Sequence, residues 1–250
     1  MLAILSPAKT LDYRSSLPPL QPTEPRLPEA TGKLVAGAAR LSARKLSELM
    51  HISDKLGKLN AERYRGFADQ PERPAIFAFA GDVYTGLEAK TLDDAAIAFA
   101  QDHVRMLSGL YGLLRPLDTI RPYRLEMGTR WAPGRAKTLY DFWGDRIAGL
   151  LARDLEEEGS GVIVNVASRE YWHAVEQRLP ATVRVVTIDF REEGPSGLRF
   201  NTFAAKRARG MVARYICEHR LDDPEALKGF DSDGWSFADA EGDTWRFLRR

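Results

Sequence analysis

Cysteine is almost absent from this sequence. A single thiol, Cys217, stands among 250 residues, so no disulfide can close within the chain, and a reducing, cytoplasmic setting is expected. Cys217 itself falls on the apolar side of a helical stretch and reads as a small core residue. Histidine is scarce too: His51, His103, His173 and His219 lie far apart, and none stands at metal-ligand spacing. A His/Cys zinc centre is therefore not expected, and neither a metal nor a cofactor is predicted. No apolar run approaches the roughly 20 residues that cross a bilayer. The opening MLAILSPAKT lacks the basic segment and the apolar length of a secretory signal, so no membrane partner is expected. An excess of one charge is missing as well. Lys and Arg number 36 against 35 Asp and Glu, leaving +1, so recognition of a polyanion would need a local patch. Neither a G-x-S-x-G elbow, a G-x-G-x-x-G fingerprint nor a phosphate-binding P-loop occurs, which removes the motif support for serine hydrolysis and for dinucleotide or nucleoside triphosphate sites.

What is present is an ordinary globular composition, 44 % apolar and 28 % charged, in a chain long enough to bury a substantial core. With no repeat, low-complexity tract or linker, residues 1–250 are expected to form one domain. Residues 2–5, 75–80, 104–107, 161–164 and 183–190 read as strands, and the tail from Gly229 reads as a hairpin. Helical spacing is expected over 31–50, 53–67, 91–102 (capped by Thr91), from 144 to about 158, and over 204–219. A turn is expected at 81–86, and residues 14–30 form a proline-rich extended connection. The class is α/β, or mixed α+β, with one central mixed sheet flanked by helices. Gly210, inside the last long helix, costs about 1 kcal/mol relative to alanine and so predicts close approach of another backbone.

The densest stretch is His103–Gly128, HVRMLSGLYGLLRPLDTIRPYRLEMG. It carries Arg105, Arg115, Arg121 and Arg124 against two carboxylates, Asp118 and Glu126. The residues before Pro116 and Pro122 are biased to extended geometry. A stiff, arginine-bearing segment suits the grip of an anion; a buried strand followed by solvated arginines fits equally well. Lys9 follows the first strand in a polar loop, a common place for a site in α/β proteins. Lys55 opens a helix, where the helix dipole disfavours a cation. Lys206 and Arg209 lie on the last long helix, with spacing that spreads its cations over more than one face.

Seven motifs occur in one order: SPAKT (Ser6–Thr10), ISDKL (Ile52–Leu56), F-x-GDVYTGL (Phe79–Leu87), LSGLYGLLRPLD (Leu107–Asp118), PYRLEMG (Pro122–Gly128), LYDFWG (Leu139–Gly144) and K-x-ARG (Lys206–Gly210). Together they resemble the bacterial YaaA family of peroxide stress resistance proteins, from residue 1 to about residue 230. The resemblance implies a cytoplasmic protein that protects against hydrogen peroxide and is linked to limiting free intracellular iron. It implies binding of duplex and distorted DNA in a positively charged cleft. It also implies an unusual family-specific fold with a helix–hairpin–helix element, and it brings no established catalytic activity. Ser108–Gly112 supplies two glycines for such a hairpin. Ile52–Lys55, between two expected helices, supplies the helices without the glycines.

Lys9, Lys55, Arg105, Arg115, Arg121, Arg124, Lys206 and Arg209 are therefore expected to converge on one groove that neutralises phosphates of double-stranded or distorted DNA without reading sequence. Ser108 lies within that segment, and Tyr84 or Tyr111 is available to stack on an exposed base. A monomer is the expected state. The alternative is an enzyme that cleaves the glycosidic bond of a damaged nucleobase or nucleoside. Lys9 or Lys55 would be the nucleophile, and Asp54, Asp82 or Glu126 the acid or base. Direct iron storage is disfavoured because no His/Glu pairs fall at bundle spacing.

Overall fold

The computed structural model describes residues 1–195 and 197–250. β1 (Leu2–Leu5) is apolar and buried along its whole length, as a strand covered on both faces must be. A polar loop leads to the short β2 (Thr10–Leu11) and into the proline-rich connection. α1 (Pro28–Ala39) begins on Pro28, whose missing N–H is no loss at a helix start. α2 (Ala43–Met50) and α3 (Asp54–Arg65) are capped by the side chains of Ser42 and Ser53. The one helix expected over 31–50 is therefore two, because Ser42 accepts the Lys45 N–H and starts a new helix.

β3 (Arg73–Pro74), α4 (Ala75–Ala78), β4 (Phe79–Ala80) and α5 (Asp82–Leu87) follow. Residues 75–78 are a turn of helix rather than a strand, and 82–87 are a helix rather than a turn. Ala75 to Phe79 are all buried, and periodicity cannot separate a wholly buried strand from a wholly buried helical turn. α6 (Asp94–His103) takes its cap from Asp93, not Thr91. It runs into β5 (Val104–Ser108), β6 (Gly112–Leu114) and β7 (Thr119–Ile120). Next come α7 (Leu139–Trp143), α8 (Arg146–Glu158), β8 (Val162–Asn165) and α9 (Arg169–Trp172). β9 (Arg184–Gly194), β10 (Gly197–Arg199), α10 (Thr202–His219) and the hairpin of β11 (Trp235–Glu241) and β12 (Thr244–Arg249) complete the chain.

Among the described residues, eight strands form a central mixed sheet in the order β11-β12-β9-β8-β1-β5-β6, with β10 paired to β9. β12, β9, β8, β1 and β5 are mutually parallel, while β11, β6 and β10 are antiparallel additions. The next sheet strand after β1 in the chain, β5, lies on one side of it. The successor of β8, β9, lies on the other side. The order thus reverses between β1 and β8, and a crevice opens at their carboxyl ends. α10 packs against α5, α6 and β1. A Cβ on Gly210 would sit 1.7 Å from the Val83 carbonyl oxygen, and one on Gly86 would sit 2.0 Å from that of Arg207. This is the close backbone approach that Gly210 predicted. No helix among the described residues is long and apolar enough to cross a membrane.

Candidate functional site

Two loops meet at the reversal point. Ser6–Thr10 leaves β1, and Val166–Ser168 leaves β8. The Ser168 N–H donates to Ser6 Oγ at 2.8 Å, and the two hydroxyls lie 3.2 Å apart. From α5, the Tyr84 hydroxyl donates to the Ser6 carbonyl at 3.0 Å. Antiparallel pairing of Thr10 with Ala80 brings the start of α5, and with it Asp82, beside Lys9. A further wall is the extended segment Tyr123–Glu126. Gly109 lets that segment come close, since a Cβ at 109 would lie 2.2 Å from the Leu125 carbonyl oxygen. Tyr64 of α3 donates to the Arg124 carbonyl at 2.8 Å, and the Tyr123 hydroxyl shares a 2.7 Å hydrogen bond with Ser108 Oγ. α10 closes the remaining side. The enclosed cleft is about 410 Å³.

Charge in the cleft is mixed. Lys9 Nζ lies 3.1 Å from one oxygen of Glu126, and Arg124 Nη2 lies 3.0 Å from the other, so this carboxylate bridges two cations. Glu170 lines the cleft, but its Oε1 accepts the Gly128 N–H at 2.8 Å and so serves the loop. From α10, Lys206 is exposed and Arg209 half-buried. The Arg209 Nε is buried without a hydrogen-bond partner, and neither residue forms an ion pair among the described residues. Burial pulls the Arg209 guanidinium below its ordinary value, and the charge of Asp189 offsets part of that; it stays protonated. Tyr123 and Tyr171 also line the cleft. Burial raises both hydroxyls far above the ordinary range, so they act as neutral donors. No three His, Cys, Asp or Glu side chains are grouped as metal ligands among the described residues. Chemically, the site can hold an anion, and it places a lysine against a carboxylate.

The eight-cation groove does not form. Lys9, Arg124, Lys206 and Arg209 converge; the other four lie elsewhere. Arg105 starts β5, at the end away from the cleft, where it pairs with the buried Asp154 and donates to the Gln101 and Val104 carbonyls. Arg115 is spent on Asp118. Arg121 pairs with Glu72 and lies 5.8 Å over the Phe67 ring. Lys55 and Asp54 sit exposed in the first turn of α3, roughly 14 Å along that helix from the Tyr64 end that touches Arg124. Of the acid/base set, Lys9, Asp82 and Glu126 share the cleft, and Lys55 and Asp54 do not. Tyr84, Tyr111 and Ser108 are buried, and their hydroxyls are engaged internally, Tyr111 accepting the Arg121 N–H at 2.8 Å. Neither tyrosine is open for stacking. Gly109 and Gly112 lie in and beside the turn between β5 and β6, not between helices, whereas α2 and α3 are joined without glycines. Neither of the two alternative hairpins combines flanking helices with glycines. Ser6, Ser168, Tyr123, Glu170 and Tyr171 were not singled out from sequence. Their one usable signal is that Ser6 and Ser168 each follow a strand that ends in a polar loop.

Residues 1–241 match the family described as Peroxide stress protein YaaA. A UPF0246 protein of Rhizorhabdus wittichii is 66 % identical over 252 residues, covering 100 % of this chain and 99 % of its own. A UPF0246 protein of Idiomarina loihiensis is 47 % identical over 244 residues, covering 96 % and 94 %. One from Neisseria meningitidis serogroup B is 44 % identical over 255 residues, covering 100 % and 98 %.

Proposed function

The chain belongs to the peroxide stress protein YaaA family, and on that premise we propose that it binds DNA through the cleft at the carboxyl ends of β1 and β8, without reading sequence, and so limits oxidative damage. One observation carries this reading. Lys9, Arg124, Lys206 and Arg209 come from three separate parts of the chain and meet in one cleft; the two on α10 form no ion pair among the described residues, and the Arg209 Nε is buried without a hydrogen-bond partner. A half-buried guanidinium without an internal acceptor is satisfied by a phosphate oxygen, which it can meet with parallel N–H donors. The cleft volume of about 410 Å³ suits one nucleotide unit rather than a duplex. Distorted or unpaired DNA is therefore the favoured form.

Binding by phosphate neutralisation releases counterions and must weaken steeply with salt. Titration of labelled DNA across a salt series tests it. Replacing both Lys206 and Arg209 with alanine is expected to lower the log–log salt slope by about 2. A wild-type affinity that is flat with salt, or a slope indifferent to the double change, would refute the proposal.

A second reading rests on the 3.1 Å pairing of Lys9 with Glu126 beside Asp82. In glycosidic cleavage Glu126 would take a proton from the Lys9 ammonium, the freed amine would attack the sugar C1′ as the C1′–base bond breaks, and the protonated carboxyl would return that proton to the departing base. Borohydride reduction in the presence of abasic DNA would trap the lysine adduct. No adduct across several damaged substrates would remove this reading.

A further inference from the structure

Phe203 is the most exposed large apolar side chain among the described residues, 73 % open to solvent, followed by Phe200 at 50 % and Leu198 at 49 %. All three fall where β10 ends and α10 begins. Scattered apolar side chains need no explanation, but three at one corner do. Three arginines stand at this corner, each with a carboxylate partner: Arg191 with Asp189, Arg199 with Glu192 and Arg207 with Asp233. The Arg191 guanidinium lies 5.5 Å over the Phe200 ring, and Arg199 and Arg207 expose 65 % and 50 % of their side chains. The nearby Glu192 is occupied by Arg199, Arg249 and Asn201. The first turn of α10 is fixed, because Asn201 Oδ1 accepts the Phe203 and Ala204 N–H groups at 3.1 and 3.3 Å.

Phe203, Lys206 and Arg209 form one row at every third residue along α10, and such rows make a continuous ridge on a helix. Lys206 and Arg209 line the cleft, so the Phe203 ring stands at its lip, about one helical turn outward. An aromatic face followed by two cations repeats the chemistry of a nucleotide, an apolar base face joined to phosphate. A purely apolar partner would leave the cations unsatisfied, and a simple polyanion would leave the ring in water.

Building on the DNA-binding reading above, we propose that the Phe203 ring stacks on an unpaired base while Lys206 and Arg209 hold its flanking phosphates, so that the protein selects DNA with a nucleotide out of the duplex. The test is fluorescence anisotropy with an intact duplex and with the same duplex carrying a central bubble, using wild type, Phe203→Ala and Phe203→Trp. Phe203→Ala is expected to weaken bubble binding roughly tenfold and leave duplex binding unchanged, while Phe203→Trp keeps the bubble preference. Wild type that binds DNA, with bubble affinity unaltered in Phe203→Ala, overturns the stacking role and leaves the parent reading standing. Wild type that binds neither form overturns both. Loss of self-association in Phe203→Ala, measured by sedimentation with its bubble affinity intact, would assign the patch to a second copy of the chain and also overturn the stacking role.

Discussion

Cys217 is the only thiol in the chain, and its surroundings decide whether peroxide can meet it. The side chain is fully buried on α10, and burial, with a smaller push from Glu218, raises the thiol to about 12. Only the thiolate reacts with peroxide, and almost none exists near neutral pH at such a value. A thiol reagent is therefore expected to label the native protein negligibly and to label it fully in denaturant; rapid native labelling would contradict the burial. Glu126 makes a second case. Its carboxylate occupies both Lys9 and Arg124, so Glu126→Gln removes a negative charge and frees two cations. DNA affinity should rise several-fold and the salt slope steepen by up to about 1, as titration at two ionic strengths would show. The cations were legible in the sequence by type. Their internal carboxylates were not, since Asp154 and Glu72 lie far along the chain from Arg105 and Arg121.

The crossing of α5 and α10 was partly legible. Gly210 announced a close backbone approach, because glycine persists inside a helix chiefly where a side chain has no room. The partner helix was missed, because the Gly81–Gly86 stretch looked like a turn, and Gly86 is small for the same reason as Gly210. Gly210→Ala should cost about 2 kcal/mol and lower Tm by roughly 4–8 °C in calorimetry, and it should weaken DNA binding by displacing Lys206 and Arg209. A second joint links α8 to β5 and to the proline-rich connection. Asp154 is buried there and accepts from Arg26 Nη2 at 2.8 Å and from Arg105 Nε. Burial pushes its carboxyl up, but the hydrogen bonds from Arg26 and Arg105 together outweigh burial and hold it below the ordinary range. Its contribution is therefore present above the unfolded carboxylate value and is lost as pH falls through the lower folded value. Asp154→Asn leaves Arg105 buried beside a neutral group and should cost about 3–5 kcal/mol at pH 7. In denaturant titrations, the deficit should shrink as the wild type is taken below about pH 4.

At the scale of the whole molecule, alternating strand and helix patterns made the fold class legible, but not the order of strands. β1 and β8 pair across some 160 residues, and their loops join through Ser6 and Ser168; nothing local in either segment announces the other. The cleft exists only because of that pairing, which is why Lys9 was visible as a loop cation while its neighbours on α10 looked dispersed. With a net charge of +1, the molecule has no strong overall field to steer DNA, and the DNA binding proposed above would rest on a countable set of contacts. If the cleft alone holds the phosphates, at most four cations take part, and the log–log salt slope should be about 3 to 4 on duplex and nearer 3 on single strands. Lys55→Ala should then leave the slope unchanged, since Lys55 lies exposed at the far end of α3. A measured slope near 6 or more, dropping by about 1 in Lys55→Ala, would mean that DNA also lies across the α2–α3 connection. The interface would then be a surface running from the cleft to that helix pair rather than a nucleotide-sized pocket.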